Sequence, residues 1–113
     1  MPNDCVFCRI VRGDIPAAIV AENHSAIAFR DLDPQAPVHV LVVPREHISS
    51  LFDAGDSVVL GDVMRLAKEV ARREGISQSG YRTVINTGPD GGQTVDHLHA
   101  HVLGGRQMAW PPG

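Results

Sequence analysis

The stretch "TVDHLHAHVL", residues 94–103, decides the fold. From position 97 onward it alternates. His97, His99 and His101 take every second place, and Leu98, Ala100 and Val102 fill the places between. Side chains two apart share one face of a β-strand. The alternation predicts a strand over 94–103 whose apolar face enters the core while the other face carries three imidazoles. Their Cα atoms would stand about 6.5 to 7 Å apart. Three such rings add little stability, and they repel one another when protonated. Three readings follow: a solvent-facing strand, a metal site, or imidazoles used as nucleophile and acid–base groups near neutral pH.

Working outward, "VHVLVVP", residues 38–44, is a β-branched run that reads as a central strand. His39 interrupts it, either as a hydrogen-bonded core residue or as a group that orients the cluster. "AAIVAE" (17–22) and "SAIAFRD" (25–31) read as strands joined at Asn23-His24, with His24 on the surface. "DPQAP" (33–37) is a proline-punctuated connection. Val59, Val63, Leu66, Ala67 and Val70 form the stripe of a long helix, capped by Asp56 or Ser57 and ended by Gly75. "YRTVIN" (81–86) is a fourth strand. A short helix over "CVFCRIVR" (5–12) starts at Asp4 as cap and ends at Gly13. The tail "RQMAWPPG" (106–113) reads as an extended arm. The sum is α+β: a five-stranded antiparallel sheet with one long helix and a short N-terminal helix.

"TGPDGGQ" (87–93) reads as a glycine-rich turn just before the histidines. Successive N–H groups in such a turn can form an anion nest, which beside a nucleophile points to phosphate chemistry. No Walker-type lysine and no GxGxxG is present, so P-loop and dinucleotide-binding readings fall away. A chain of 113 residues fits a single domain over 1–113. A net charge of −3 argues against a non-specific nucleic-acid binder. No apolar run is long enough for a bilayer, and "MPNDCVFCRI" lacks signal-peptide features, so no membrane partner and a cytoplasmic location are expected. In that setting Cys5 and Cys8 read as thiols or metal ligands rather than a disulfide. Spaced i and i+3 on a helix they share a face, as inert thiols, a redox pair or half a zinc site. The redox reading lacks a surrounding βαβ unit.

With these residues in view, the chain resembles the histidine triad (HIT) superfamily, whose signature His-φ-His-φ-His-φ-φ reads "HLHAHVL" here. The segments "FCRIVRGDIPA", "AFRDLDPQAPVHVLVVPREHIS", "NTGPDGGQTVDHLHAHVLGGR" and "WPPG" resemble the Hint branch. The resemblance covers nearly the whole chain except the middle of the long helix. "GGR" and "WPPG" favour Hint over the Fhit-like branch.

The resemblance implies a homodimer whose two sheets join into one of ten strands. It implies a purine nucleoside monophosphate pocket and hydrolysis of adenosine or guanosine 5′-phosphoramidates, nucleotidyl-lysine included, through a nucleotidyl-histidine. His99 is the implied nucleophile and His101 its phosphate-binding and proton-handling partner. His97 would orient His99 through its carbonyl, and His39 would support the nucleophile's tautomer. Asp31 matches the ribose ligand, and Phe7, Ile10, Ile15, Phe29 and Leu32 match the walls around the base. Asn86, Gln93 and Thr94 match polar positions near the phosphate, and Trp110 the tail residue that reaches toward the partner's site. No cofactor is implied for catalysis. Cys5, Cys8, His47 and His97 match the structural zinc ligands of zinc-bearing relatives.

Three positions depart from the pattern. Thr94 replaces a common serine, Asp96 stands where an aromatic is usual, and Ala100 replaces a larger apolar residue. Other functions compatible with these residues are a dinucleoside polyphosphate hydrolase, a nucleotide-binding interaction protein with incidental hydrolysis, and a metalloenzyme that uses the triad as ligands.

Overall fold

The structure, a computed structural model, describes residues 5–113. The elements run α1 (Val6–Arg12), β1 (Ile19–Glu22), β2 (Ala26–Arg30), β3 (Val38–Pro44), α2 (Ser57–Arg73), β4 (Tyr81–Ile85), α3 (Gly88–Gly91) and β5 (Ala100–Gly104). The five strands form one sheet in the order β1-β2-β3-β5-β4, and every neighbouring pair is antiparallel. The expected α+β architecture is therefore present.

Alternation along the strands sorts two cores. Ala26 and Ala28 of β2, Val40 and Val42 of β3, and Ala100 and Val102 of β5 meet Val63, Leu66, Ala67 and Val70 of α2. Burying each of the larger side chains contributes about 1.5 to 3 kcal/mol. On the opposite face Ile27, Phe29, Leu41 and Val43 pack with Phe7 of α1. The sheet is thus covered on both sides, by the long helix over one face and the short one over part of the other.

The helix ends follow their chemistry. Asp56 caps α2 by accepting from the Val58 and Val59 amides, and Gly75 follows its end with φ +74°. Gly13 ends α1 in the left-handed region. The described cap of α1 is Cys5, whose sulfur accepts from the Cys8 amide. Asp4, expected there, lies outside the described residues.

Two expectations need correction. The glycine-rich segment holds a one-turn helix, α3, started by Thr87 and ended at Gly92 with φ +81°. The fifth strand begins at Ala100 rather than Thr94. The ladder pairs Ala100 with Val42, and Pro44, two residues further along β3, has no N–H to donate. The Leu98 amide instead donates to the Ile48 carbonyl at 2.6 Å. Residues 94–99 are therefore held by loop contacts, although Leu98, Ala100 and Val102 remain fully buried opposite the histidines.

Candidate active site and metal cluster

The three histidines diverge in environment. His97 is wholly buried, His99 nearly so, and His101 is half-buried. Phe7 packs edge-on against His97 and His99, with centroids 5.7 and 5.1 Å away, so α1 braces both rings.

Hydrogen-bond partners assign the ring protons. His99 Nδ1 lies 2.7 Å from the His97 carbonyl oxygen, which can only accept. Nδ1 therefore carries the hydrogen, and Nε2 keeps its lone pair. His97 Nε2 lies 2.9 Å from the Pro44 carbonyl oxygen and donates to it, so the lone pair of His97 sits on Nδ1. The Gln35 amide donates to His39 Nδ1 at 3.0 Å, which puts the His39 hydrogen on Nε2. That Nε2 donates to His101 Nδ1 at 2.9 Å, leaving the His101 hydrogen on its own Nε2. His101 Nε2 is buried and has no hydrogen-bond partner among the described residues. His39 therefore supports His101 and not, as expected, His99. The cause is register: Leu41 of β3 pairs with His101, which brings the neighbouring His39 ring onto it.

The His99 and His101 rings face a cavity of about 270 Å³. It gathers Phe7, Ile10, Phe29, Asp31, Leu32, Thr94, His99 and His101 of the expected residues. Its walls are mainly apolar, as a base-binding site requires. Leu32 lines it while 99% exposed, so that leucine contributes a rim rather than core packing. Asp31 accepts from the Asp33 amide through Oδ1, and its Oδ2 lies 3.4 Å from His39 Nε2.

Other expected residues lie elsewhere. Ile15 is half-buried and does not line this cavity. Gln93 spends its amide on the loop, donating to the Ser49 and Val95 carbonyls and accepting from the Gly88 amide. Asn86 lines a second hollow beside the C-terminal arm. Trp110 is 81% exposed, with the Arg82 guanidinium 5.8 Å from its ring centroid. Leu41 and Val95 also line the cavity and were not singled out from sequence. Leu41 was within reach of a period-two reading, since it shares a strand face with His39.

Burial favours the neutral forms of His39 and His101. Desolvation lowers the His39 pKa, against the pull of Asp31 and Asp33. Desolvation, then repulsion from His99 and His39, brings His101 down from 6.5 to about 4. In this window the unfolded chain binds more protons than the fold, so stability is full above about pH 6.5 and falls as pH drops toward about 4. Melting curves across that range should show a steeper acid loss for wild type than for His101→Gln. Equal slopes would remove His101 as a source of the acid sensitivity.

Two groups of side chains have metal-ligand spacing among the described residues, and the ring protons distinguish them. In the first, ligand atoms of Cys5, Cys8, His47 and His97 all lie within 4.8 Å of one another. His97 Nδ1 stands 3.3 Å from Cys5 Sγ and 3.5 Å from Cys8 Sγ, and His47 Nδ1 stands 3.3 Å from Cys8 Sγ. The Pro44 carbonyl already presents a His97 lone pair to this group, an outer contact typical of ligating histidines. Two thiols and two imidazoles suit a closed tetrahedral zinc site. The second group is Asp31, His39 and His101. Here the Gln35 amide leaves a hydrogen on His39 Nε2, the nitrogen that would have to ligate. Binding there would force two N–H groups against each other, so this set does not fit a resident metal.

The His97 ring thus faces the cysteines, while its carbonyl holds the His99 ring. No helix among the described residues is long and apolar enough to cross a membrane.

An uncharacterized HIT-like protein of Synechococcus elongatus is 53% identical over 115 residues, spanning the whole of both chains. A 14 kDa zinc-binding protein of Zea mays is 46% identical across 96% of this chain and 87% of its own length. The crystal structure of a HIT family hydrolase from Legionella pneumophila superposes with a TM-score of 0.93 at 49% identity, covering 97% of this chain and all of that one. Residues 12–108 match the HIT domain, and the chain belongs to that family.

Proposed function

We propose that the protein is a purine nucleoside phosphoramidase of the Hint branch. The observation that carries this reading is the His99 ring: its Nδ1 hydrogen is committed to the His97 carbonyl, so Nε2 is a lone-pair nucleophile in an apolar cavity. On this reading the base lies among Phe7, Ile10, Phe29 and Leu32, and the Asp31 carboxylate accepts from the ribose hydroxyls. His99 Nε2 attacks the α-phosphorus. The P–N bond breaks with its electron pair passing to a nitrogen that takes a proton from solvent, and water then cleaves the P–Nε2 bond, its oxygen joining phosphorus and its proton returning to solvent. His101 donates its Nε2 hydrogen to a phosphoryl oxygen, which gives a partner to a buried group that otherwise lacks one. The phosphate charge in turn raises the proton affinity of that imidazole.

Cys5, Cys8, His47 and His97 would hold a zinc ion that supplies structural cross-linking, apart from the chemistry. A homodimer belongs to the same reading. It is supported by the sheet edge at β4 and by an exposed tryptophan in the C-terminal arm.

The test compares AMP release from adenosine 5′-phosphoramidate and from diadenosine polyphosphates. Faster release from the phosphoramidate is expected. A preference for the dinucleotide would replace this reading with a Fhit-like one, and AMP binding without release from either would leave a nucleotide-binding protein.

A further inference from the structure

His97 belongs to two groups at once. Its ring Nδ1 stands 3.3 Å from Cys5 Sγ, while its carbonyl oxygen takes the Nδ1 hydrogen of His99 at 2.7 Å. A second bridge runs beside it. Cys5 caps α1, Cys8 lies within it, and Phe7 between them packs on both His97 and His99. Phe7 and Ile10 also form part of the cavity wall. The residues that fix the cluster therefore fix the peptide that sets the nucleophile's tautomer and the helix that walls the site.

We propose that metal occupancy of the Cys5–Cys8–His47–His97 cluster and nucleotide binding in the cavity are positively coupled, with His97 as the positioning residue that carries the coupling. This rests on the nucleotide-site reading above. Holding the His97 ring orders its own carbonyl and the base of α1 before nucleotide arrives. Less ordering then remains for nucleotide binding to supply. Linkage makes the effect reciprocal, so whatever factor metal adds to nucleotide affinity, nucleotide adds to metal affinity. A factor of about 5 or more is expected, the lower end of allosteric couplings.

Cobalt(II) is the probe, because its thiolate charge-transfer absorption reports the intact cluster. A competing chelator draws cobalt off the protein with and without saturating AMP, and calorimetry gives AMP affinity in the cobalt-loaded and stripped protein. The expected result is about a fivefold or greater gain in both affinities, by the same factor. Ratios indistinguishable from one in both would overturn the coupling. Circular dichroism checks that stripping leaves the fold intact. Should the stripped protein unfold, His47→Ala in saturating cobalt takes its place, since His47 lines no part of the cavity. Weaker AMP binding in that variant supports the coupling, and unchanged binding overturns it.

Failure of AMP to bind the cobalt-loaded protein would instead overturn the nucleotide reading. The nitrogen-bound ring hydrogen of His99 then decides whether the cluster still positions His99 through His97, followed by proton NMR with zinc, which is diamagnetic, in place of cobalt. A slowly exchanging Nδ1–H signal that disappears on metal removal supports it. A signal indifferent to metal overturns it.

Discussion

His99→Ala should lose turnover of adenosine 5′-phosphoramidate by about 10,000-fold or more, the scale seen when a covalent nucleophile is removed. Alanine offers no lone pair to phosphorus, and no other imidazole can take over. The lone pair of His97 sits on Nδ1 among the cysteines, and that of His101 is occupied by His39. AMP should still bind the variant, because Asp31 and the apolar wall are unchanged. Phe7 loses a ring contact, so a melting curve must accompany the assay. Turnover within tenfold of wild type would sink His99 as nucleophile. Chelated wild type, where it stays folded, should keep its turnover in this assay at high substrate concentration, because the Asp31–His39–His101 group does not fit a metal. Loss of turnover there, with the fold intact and substrate saturating, would return the triad to a metal-dependent chemistry.

Cys8→Ser should lower the melting temperature of the zinc-loaded protein by about 10 °C or more. A serine hydroxyl is a poor substitute for a thiolate, and metal-binding energy in a closed site is folding energy. The cluster ties the start of α1 to the segment after β3 and to the residue 97 region, three pieces far apart in sequence. Losing on the order of 3 kcal/mol in a domain of this size gives a shift of that extent. The check is a set of melts: wild type with zinc, wild type with chelator, and the variant with zinc. The last two should coincide. A wild-type melting temperature unmoved by zinc would sink the structural-metal reading.

What was legible in the sequence is what periodicity controls. The alternation over 97–102 assigned those side chains to two faces, and the Val63-Leu66-Ala67-Val70 stripe assigned the helix that covers one of them. The start of β5 was hidden because it depends on a partner strand. Pro44 reads as one more residue of β3 until the pairing puts it where the ladder would continue. The partner of His39 was hidden for the same reason, since only register brings it onto His101. Gln93 could not be read either. Whether an amide side chain meets phosphate or its own loop is decided by a backbone path with no periodic signature. The cysteine pair marked half of a cluster, but the selection between two candidate metal groups came from main-chain hydrogen bonds that no residue identity encodes.

Those main-chain bonds have a consequence for mutational drift. Which nitrogen carries hydrogen is dictated at His97, His99 and His39 by the Pro44 carbonyl, the His97 carbonyl and the Gln35 amide. Every amino acid brings the same carbonyl, and all but proline bring the same amide. Position 35 can therefore change its side chain in descendants of this sequence while the proton pattern of the site is inherited intact. Proline at 35 is the exception. It would delete the one amide hydrogen that holds His39, and through it His101, in the tautomers described.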